Sequence, residues 1–264
     1  MSKLALIAGQ GGLPAALIAA LPERPFVCAL DGFAPDDVVV DQVFRVERLA
    51  LFLRLLEDQD ITRVAFAGAV QRPRLDPSLF DPHTAQMVPR LLAAMQAGDD
   101  ATLRAVIGIF EEAGFEVVGV EAIAPALLPG AGVLAGVVSA RDEKDATRAA
   151  AIVAALGAVD VGQGCVVAQG LCLAVEALPG TDAMLASVAV IPASLRPAGG
   201  LFYKAAKPGQ DRRIDLPTLG VATVQRAAEA GLSGLCWQAG SVICLDLPAM
   251  VVEAQARGLF LWAR

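Results

Sequence analysis

Charged side chains that could bind phosphate or a metal ion are concentrated in one stretch of this largely apolar sequence. The whole chain is 56% hydrophobic and only 19% charged. Residues 204–220, called the polar loop below, nevertheless contain Lys204, Lys207, Asp211, Arg212, Arg213 and Asp215. Lysine and arginine bind phosphate or carboxylate oxygens, and aspartate holds a divalent ion or accepts a proton. Such a composition is typical of a functional site, and the alternative is a solvated surface loop.

The overall composition limits the ligands and cofactors to consider. A net charge of -7 disfavours nonspecific attraction to nucleic acid or to an anionic membrane. The five cysteines form no C-x-x-C pair, which indicates reduced, buried thiols of a cytosolic protein. The single histidine, His83, follows Pro82 in a predicted loop and excludes a site that needs several imidazoles. Any metal is therefore expected to have oxygen ligands, which favours Mg²⁺ or Mn²⁺.

The N-terminal segment predicts a strand, a glycine turn and a helix. Apolar residues 4–8 stop at Gly9, and helical spacing begins at Leu13. Because glycines let a phosphate approach the backbone at a helix N-terminus, we expect a nucleotide to contact this turn. The predicted contacts are Gly9, Gly11, Gly12, Leu13 and Pro14. A second apolar run ends at Asp31, as in a dinucleotide-binding unit, although Pro14 stands where that fingerprint has its third glycine.

The first half of the chain alternates short apolar runs with helical patterns, which predicts a Rossmann-like parallel sheet. Ligands bind such sheets beyond the carboxyl ends of the strands, so Arg72 is a candidate anion-binding residue. Asp99 and Asp100 open a later helix, where Asp99 is expected to cap the first turn. The alternative is that one of these two carboxylates faces the ligand.

Proline and glycine are frequent over residues 122–136, which predicts a domain boundary there. We expect an α/β domain over residues 1–130, a linker over 131–137 and a mixed α/β domain over 138–264. The second domain is predicted to contain a helix capped near Ser139, a hairpin turning at Gln169–Gly170, and a helix from Pro217 to Gly231. A carboxylate, Glu176, ends one of the hairpin strands.

Several motifs together resemble, from end to end, the LpxI-type UDP-2,3-diacylglucosamine pyrophosphatases of bacterial lipid A synthesis. The motifs are Ala8-Gly-Gln-Gly-Gly-Leu-Pro14, Gly98-Asp-Asp100, Asp160-Val-Gly-Gln-Gly164, Ala174-Val-Glu-Ala177, Gly180-Thr-Asp-Ala-Met184, Gln238-Ala-Gly240 and the polar loop. The chain departs from the family pattern at Ala69 and Ala206, where Asn and Pro are usual.

The resemblance implies a metal-dependent hydrolase that splits UDP-2,3-diacylglucosamine into UMP and 2,3-diacylglucosamine 1-phosphate (lipid X). The first domain is then expected to bind the nucleotide, and the second to carry catalysis and lipid binding. The resemblance also implies a cytoplasmic enzyme with at most peripheral contact with the inner membrane, as a monomer or homodimer that binds no nucleic acid. The family's catalytic aspartate corresponds to Asp215, and Asp211 is the competing candidate. The expected phosphate-binding and catalytic cations are Lys204, Lys207 and Arg213. Further expected substrate contacts are Gln163, Glu176, Thr181, Asp182, Gln210 and Thr218.

Candidate metal ligands are the carboxylates Asp215, Asp211, Glu176 and Asp182.

The residues themselves leave two other classes of function open. One is a dinucleotide-binding oxidoreductase that uses Gly9, Gly11 and Asp31, and the other is a noncatalytic nucleotide-binding module.

Overall fold

The structure, a computed structural model, describes residues 3–71, 73–192 and 194–264, with Asp99 described in its backbone only. The chain divides into two compact units. The first unit comprises the chain up to Pro125 together with Asp211–Asp215, and the second comprises Ala126–Gln210 and Leu216–Arg264. Five residues of the polar loop thus belong to the first unit, whereas the sequence division places the whole loop in the second domain.

The described residues of the first unit form a five-stranded parallel sheet. Its strands are β1 (Lys3–Ala8), β2 (Phe26–Leu30), β3 (Gln42–Phe44), β4 (Ile61–Ala67) and β5 (Glu116–Val117). Their spatial order is β3-β2-β1-β4-β5, and every neighbouring pair is parallel. This order confirms the predicted Rossmann-like sheet and brings the ends of β1, β2 and β4 to one edge.

Helices cover this sheet and bury an apolar core. They are α1 (Leu13–Ala20), α2 (Leu49–Asp58), α3 (Pro82–Ala97), α4 (Asp99–Glu112) and α5 (Val120–Ile123). Short 3₁₀ helices lie at Val46–Arg48, Pro77–Leu79 and Pro125–Leu127. Phe52 and Phe110 are buried in the core, and Ile214 of the polar loop packs against it.

Two expectations for the region around α3 and α4 were wrong. His83 lies in the first turn of α3 and not in a loop, because Pro82 occupies a position where its missing N–H is tolerated and Asp81 caps the helix. Gly98, with φ of 121°, is the N-cap of α4, so Asp99 is its first helical residue and not its cap.

The second unit has a mixed sheet of six strands in its described residues. Its strands are β6 (Gly132–Ala135), β7 (Gly164–Ala168), β8 (Leu171–Val175), β9 (Leu201–Lys204), β11 (Gly234–Trp237) and β13 (Phe260–Ala263). The spatial order is β6-β13-β11-β9-β7-β8. Strands β9, β11 and β13 run parallel, and the other neighbours pair antiparallel. Strands β10 (Thr218–Leu219) and β12 (Ile243–Cys244) form a separate parallel pair.

Four helices are described in the second unit. They are α6 (Ala140–Ala158), α7 (Gly180–Ala189), α8 (Val221–Glu229) and α9 (Leu247–Ala256). Ser139 and Asp142 form the predicted capping box of α6, and the predicted hairpin turns at Gln169 and Gly170 with positive φ at both. The helix expected from Pro217 begins instead at Val221, because Thr218–Leu219 pairs with β12.

The predicted linker differs from the structure. Residues 132–135 form β6, which pairs antiparallel with β13 and leaves its Val133 half exposed. Proline and glycine flank this strand and do not mark an unstructured linker, because an edge strand tolerates such residues at its ends.

Among the described residues, no helix combines the length and apolarity that crossing a membrane requires. The assignment of nucleotide binding and catalysis to separate domains stays a prediction.

Candidate functional site

The segment Asp211–Asp215 is held in the first unit by apolar packing and by close backbone approach. Ile214 packs against the core of that unit. A Cβ atom added at Gly119 would lie only 2.8 Å from the Arg213 Cα, so a glycine is needed beyond β5. Arg212 also pairs with Glu121 at 3.5 Å. These contacts fix the backbone that carries Asp215.

Arg213 and Asp211 form a bidentate pair. The Arg213 Nε donates to Asp211 Oδ1 at 3.0 Å, and its Nη2 donates to Oδ2 at 2.7 Å. The third guanidinium nitrogen, Nη1, donates to Glu111 Oε1 at 2.6 Å. Both carboxylates therefore neutralise the cation that was expected to receive phosphate oxygens.

The electrostatics of this pair favour the charged forms. The hydrogen bond from the Arg213 side chain lowers the pKa of Asp211, and the nearby Arg104 adds to the effect. The Asp211 and Glu111 carboxylates in turn raise the pKa of Arg213. Because Arg213 occupies both Asp211 oxygens, Asp211 is a less suitable metal ligand or proton acceptor than the sequence suggested.

Asp215 does not cap a helix. The nearest following helix, α8, begins at Val221 with Gly220 as its N-cap. The backbone N–H of Asp215 donates to the Asp211 carbonyl at 3.4 Å, which places both residues in one tight turn. Asp215 is therefore not the N-cap of the helix that the sequence predicted from Pro217.

In the second unit, a buried cluster joins the ends of β8 and β9 to the start of α7. Lys204 is 4% exposed and Glu176 is 8% exposed. The Lys204 Nζ donates to both Glu176 carboxylate oxygens at 3.2 Å and to Thr181 Oγ1 at 2.5 Å. Thr181 also donates to Glu176 Oε1 at 2.9 Å. We call these three residues the Lys204 cluster.

Glycines make room for the Lys204 cluster. A Cβ atom at Gly164 would lie 2.5 Å from Glu176 Oε2, and one at Gly162 would lie 2.0 Å from the Glu176 carbonyl oxygen. Gln163 stands between them, and its Oε1 is buried without a hydrogen-bond partner among the described residues. The Phe202 ring centre lies 5.9 Å from the Lys204 Nζ and covers the cation.

The other predicted residues of the second unit make pairs of their own. Lys207 Nζ donates to Asp160 Oδ1 at 2.6 Å. Its backbone N–H donates to Gln210 Oε1 at 2.9 Å, which closes a turn. Asp182 pairs with Arg226 at 3.0 Å. Thr218 lies in β10, opposite Ile243.

The glycine turn after β1 is held against the end of β4. Gln10 and Ala69 exchange two backbone hydrogen bonds of 2.9 Å. A Cβ atom at Gly9 would lie 2.6 Å from the Ala69 carbonyl oxygen, so Gly9 serves this close approach. Gly11, with φ of 92°, has no atom within 4 Å of such a Cβ position. Open space thus surrounds Gly11, next to the Gly12 N-cap of α1 with Leu13 and Pro14 in its first turn.

Two residues expected near this turn cannot be compared with the structure. Arg72 and the side chain of Asp99 lie outside the described residues. Asp100 is described, and its carboxylate pairs with Arg104 one turn along α4.

The candidate metal ligands are divided between the two units. Asp211 and Asp215 belong to the first unit, and Glu176 and Asp182 belong to the second. No group of three or more His, Cys, Asp or Glu side chains suited to a metal occurs in residues 3–71, 73–192 and 194–264, leaving aside the Asp99 side chain. Mg²⁺ often binds through one or two carboxylates together with substrate phosphates and water, and such a site needs no protein cage.

Comparison with known proteins gives the family of the chain. The family model of the LpxI N-terminal domain matches residues 3–127, and that of the LpxI C-terminal domain matches residues 130–262. The chain belongs to the LpxI family. It is 37% identical over 276 residues to the UDP-2,3-diacylglucosamine pyrophosphatase LpxI of Caulobacter vibrioides, covering 98% of this chain and 96% of the relative. The resemblance inferred from the motifs is thereby confirmed.

Sequence reasoning missed four residues that shape these sites. Glu111 and Gly119 hold Arg213 and its backbone, and Asp160 and Gly164 serve Lys207 and the Lys204 cluster. The motif Asp160-Val-Gly-Gln-Gly164 contained two of them, and a glycine in a strand is a sign of close approach. Glu111 and Gly119 had no local signal.

Proposed function

We propose that the chain hydrolyses the diphosphate of UDP-2,3-diacylglucosamine to UMP and 2,3-diacylglucosamine 1-phosphate in lipid A biosynthesis. The observation that carries this proposal is the end-to-end similarity to an enzyme of that name. Water adds across the P–O–P bond, one phosphorus takes the hydroxyl group, and the other phosphate leaves as the second product. The oxidoreductase alternative gains no support from the family or from the relative.

Asp215 is the proposed catalytic carboxylate. It stands in the turn whose backbone Gly119 and Ile214 hold in the first unit. A carboxylate in a fixed turn is suited to orient a water molecule or to accept its proton. Asp211 is the weaker candidate because Arg213 engages both of its oxygens.

We propose that a divalent ion, Mg²⁺ or Mn²⁺, assists the hydrolysis, because two linked phosphates repel a nucleophile until their negative charge is neutralised. The oxygen donors of this chain fit such an ion. Asp215 is the residue we propose as its protein ligand, and substrate phosphates and water would complete the site. Glu176 fits less well, since Lys204 and Thr181 engage its oxygens, and Asp182 is paired with Arg226.

The cations have graded roles in this proposal. Lys207 side-chain exposure is 16%, against 5% for Lys204. Lys207 is therefore the better placed of the two to bind a phosphate oxygen, which would replace Asp160 as the hydrogen-bond acceptor of its ammonium group. Lys204 acts by holding Glu176 and Thr181, and Arg213 acts by holding Asp211 and Glu111. The phosphates are proposed to contact the backbone at Gly11, where space is open, and at the neighbouring N-cap Gly12.

A membrane-bound substrate requires contact with lipid, and we propose a peripheral encounter on the cytoplasmic face of the inner membrane. The edge strand β8 carries the exposed side chains Leu171 and Val175, and Leu178 beyond it is 97% exposed. Exposed apolar side chains of this kind are suited to a lipid surface. Replacing Leu171 and Leu178 by glutamate is expected to reduce co-sedimentation with vesicles of bacterial lipid.

The decisive experiment is hydrolysis of purified UDP-2,3-diacylglucosamine, with UMP release measured after metal removal and after return of Mg²⁺ or Mn²⁺. The proposal expects UMP and the diacyl sugar phosphate in equal amounts, and restored turnover with either ion. Absence of UMP release under all of these conditions would contradict the proposed activity. Full turnover after metal removal would contradict only the proposed need for a divalent ion.

A further inference from the structure

Helix α6 carries three exposed cations along one side, in a chain whose net charge is -7. They are Arg141, Lys144 and Arg148, and we call them the basic stripe. Their spacings of three and four residues place the side chains on the same side of a helix. The stripe is about 10 Å long, close to the Debye length at physiological salt, so the three positive charges act together on a nearby anion.

The acidic residues of the same part of α6 do not neutralise the basic stripe. The Asp142 carboxylate accepts hydrogen bonds from the Ser139 backbone N–H at 2.9 Å and from its hydroxyl at 2.6 Å. Asp145 is 3% exposed and accepts the two backbone N–H groups of the hairpin turn at 2.8 Å and 2.7 Å. Glu143 is exposed, but adjacent helical positions such as 143 and 144 do not face each other. Within the described part of the chain, no carboxylate forms an ion pair with the stripe.

The edge strand β8 exposes apolar side chains on the side of the sheet that α6 covers. Its exposed residues Cys172 and Val175 lie opposite Val167 and Cys165 of β7, which pack in the same buried cluster as α6. Partial burial raises the pKa of the Cys172 thiol, and the positive charge of Arg148 acts against this rise. The basic stripe therefore lies beside the apolar edge of the sheet.

We propose that the basic stripe and the adjoining edge of β8 form a docking surface for a bilayer of anionic phospholipid. The cations attract the phosphate head groups, and the apolar side chains beside them enter the interface between head groups and acyl chains. Single-stranded nucleic acid is a poorer match, because its bases stack on aromatic side chains and neither α6 nor β8 contains one. The inference rests on the proposed function only in that a lipid substrate gives the enzyme a reason to reach a bilayer.

The negative net charge of the protein makes this docking selective. Beyond a Debye length the charges are screened, and at shorter range only the side that carries the basic stripe is attracted to an anionic surface. Binding through this surface therefore requires anionic lipid, weakens with salt and fixes the orientation of the second unit. Strand β8 continues directly into Glu176, so docking keeps the Lys204 cluster near the source of a lipid substrate.

The test compares three proteins on two kinds of vesicle. Both vesicles consist mainly of phosphatidylethanolamine, with a quarter of phosphatidylglycerol in the anionic kind and a quarter of phosphatidylcholine in the neutral kind. Co-sedimentation would measure the binding of the wild type, of a stripe variant and of a control variant. The stripe variant is Arg141→Gln, Lys144→Gln and Arg148→Gln combined, and the control is Lys3→Gln, Arg54→Gln and Arg257→Gln combined.

The control variant removes the same amount of positive charge from exposed residues outside α6 and β8. It separates the position of the cations from the net charge of the protein. Melting temperatures, together with hydrolysis of the substrate in neutral detergent micelles, would show that all three proteins are folded and active.

We expect the wild type and the control variant to bind the anionic vesicles at least about tenfold more tightly than the neutral ones. This preference should fall as salt is added. The stripe variant should bind the anionic vesicles at least about tenfold more weakly than the wild type and should lose the preference.

Three outcomes would overturn the assignment. They are wild-type binding that ignores lipid charge, undiminished binding by the stripe variant, and an equal loss in the stripe and control variants. Wild-type protein that binds polyadenylate RNA and neither kind of vesicle would also overturn it, in favour of nucleic acid.

The result for the docking surface is separate from that for the proposed function. Hydrolysis in detergent micelles by a protein that binds no anionic vesicles would overturn the surface and leave the activity standing. Vesicle binding that depends on the basic stripe, in a wild type without hydrolysis, would support the surface and overturn the activity.

Discussion

The polar loop contributes two sets of charge pairs that lie in different environments. In the first, Lys204 has a side-chain exposure of 5% and pairs with a carboxylate that is almost as buried. In the second, Arg213 has a side-chain exposure of 39% and pairs with Asp211 and Glu111 near solvent. A buried charge without its partner is costly, whereas a solvated pair contributes little to stability. The comparison indicates that the first pair maintains the fold, whereas the second holds the segment that carries the proposed catalytic Asp215.

The largest effect expected from this comparison is on turnover, in the segment near solvent. Asp215→Ala should reduce hydrolysis by several orders of magnitude, because the group that orients water or holds the ion is lost. Steady-state kinetics and UMP calorimetry would measure it, with nucleotide binding and the melting temperature retained.

The neighbouring Asp211→Ala is the matched control for Asp215. It should lower turnover less, since Asp211 acts through Arg213. Near-normal turnover in Asp215→Ala, together with a severe loss in Asp211→Ala, would reverse the two roles.

The second largest effect is expected on the free energy of unfolding, when the buried Lys204 and Glu176 pair is broken. Lys204→Met should destabilise the protein by about 3–5 kcal/mol, because Glu176 would remain buried without its cation. Urea unfolding would measure this difference. The double variant Lys204→Met with Glu176→Leu should recover much of the loss, because no charge is then left unpaired.

A Lys204 that serves chemistry alone would give another pattern. The single variant would then lose turnover with unchanged stability, and the double variant would recover nothing. That outcome would contradict the division of roles between the Lys204 and Arg213 pairs.

The third effect tests whether the backbone of the segment near solvent must be held in place. Gly119→Ala places a methyl group 2.8 Å from the Arg213 Cα, so the segment must shift. We expect turnover to fall about tenfold, as small displacements of reacting groups are costly, with a stability loss of about 1–3 kcal/mol. Gly130→Ala is the control, because no atom lies within 4 Å of its added Cβ. Equal kinetics in the two variants would show that the position of Arg213 is unimportant.

The smallest effect is the stability contributed by the Asp211 and Arg213 pair. The pKa of Asp211 is lowered in the folded protein, so the pair stabilises at pH above the ordinary aspartate pKa of about 3.9. The contribution is lost as the pH falls through the lowered value, when the carboxylate takes a proton. Urea unfolding of Asp211→Asn should show a loss of less than about 1 kcal/mol at neutral pH, vanishing in acid. A loss as large as that of Lys204→Met would contradict the contrast between the Lys204 and Arg213 pairs.

Local pattern was sufficient to predict much of the fold, and the failures lie where distant residues compete. The capping box of Ser139 and the turn at Gln169–Gly170 were predicted because each depends on residues within a few positions. The helix expected from Pro217 was displaced to Val221 because Thr218–Leu219 pairs with a strand that comes later in the chain. Strand β6 was missed for the same reason, since its partner β13 is at the far end of the sequence.

The sequence alone determined the class of the sheet, the concentration of charge in the polar loop and the family. These follow from periodicity, composition and short motifs, which are local properties of the chain. Only the tertiary structure decided which charges neutralise each other, because Lys204 and Glu176 are 28 residues apart and Arg213 and Glu111 are 102 residues apart. The cost of burying an unpaired charge depends on what the fold brings within hydrogen-bond distance. For that reason the roles of Lys204 and Arg213 could not be distinguished before the strand ends and α4 were in place.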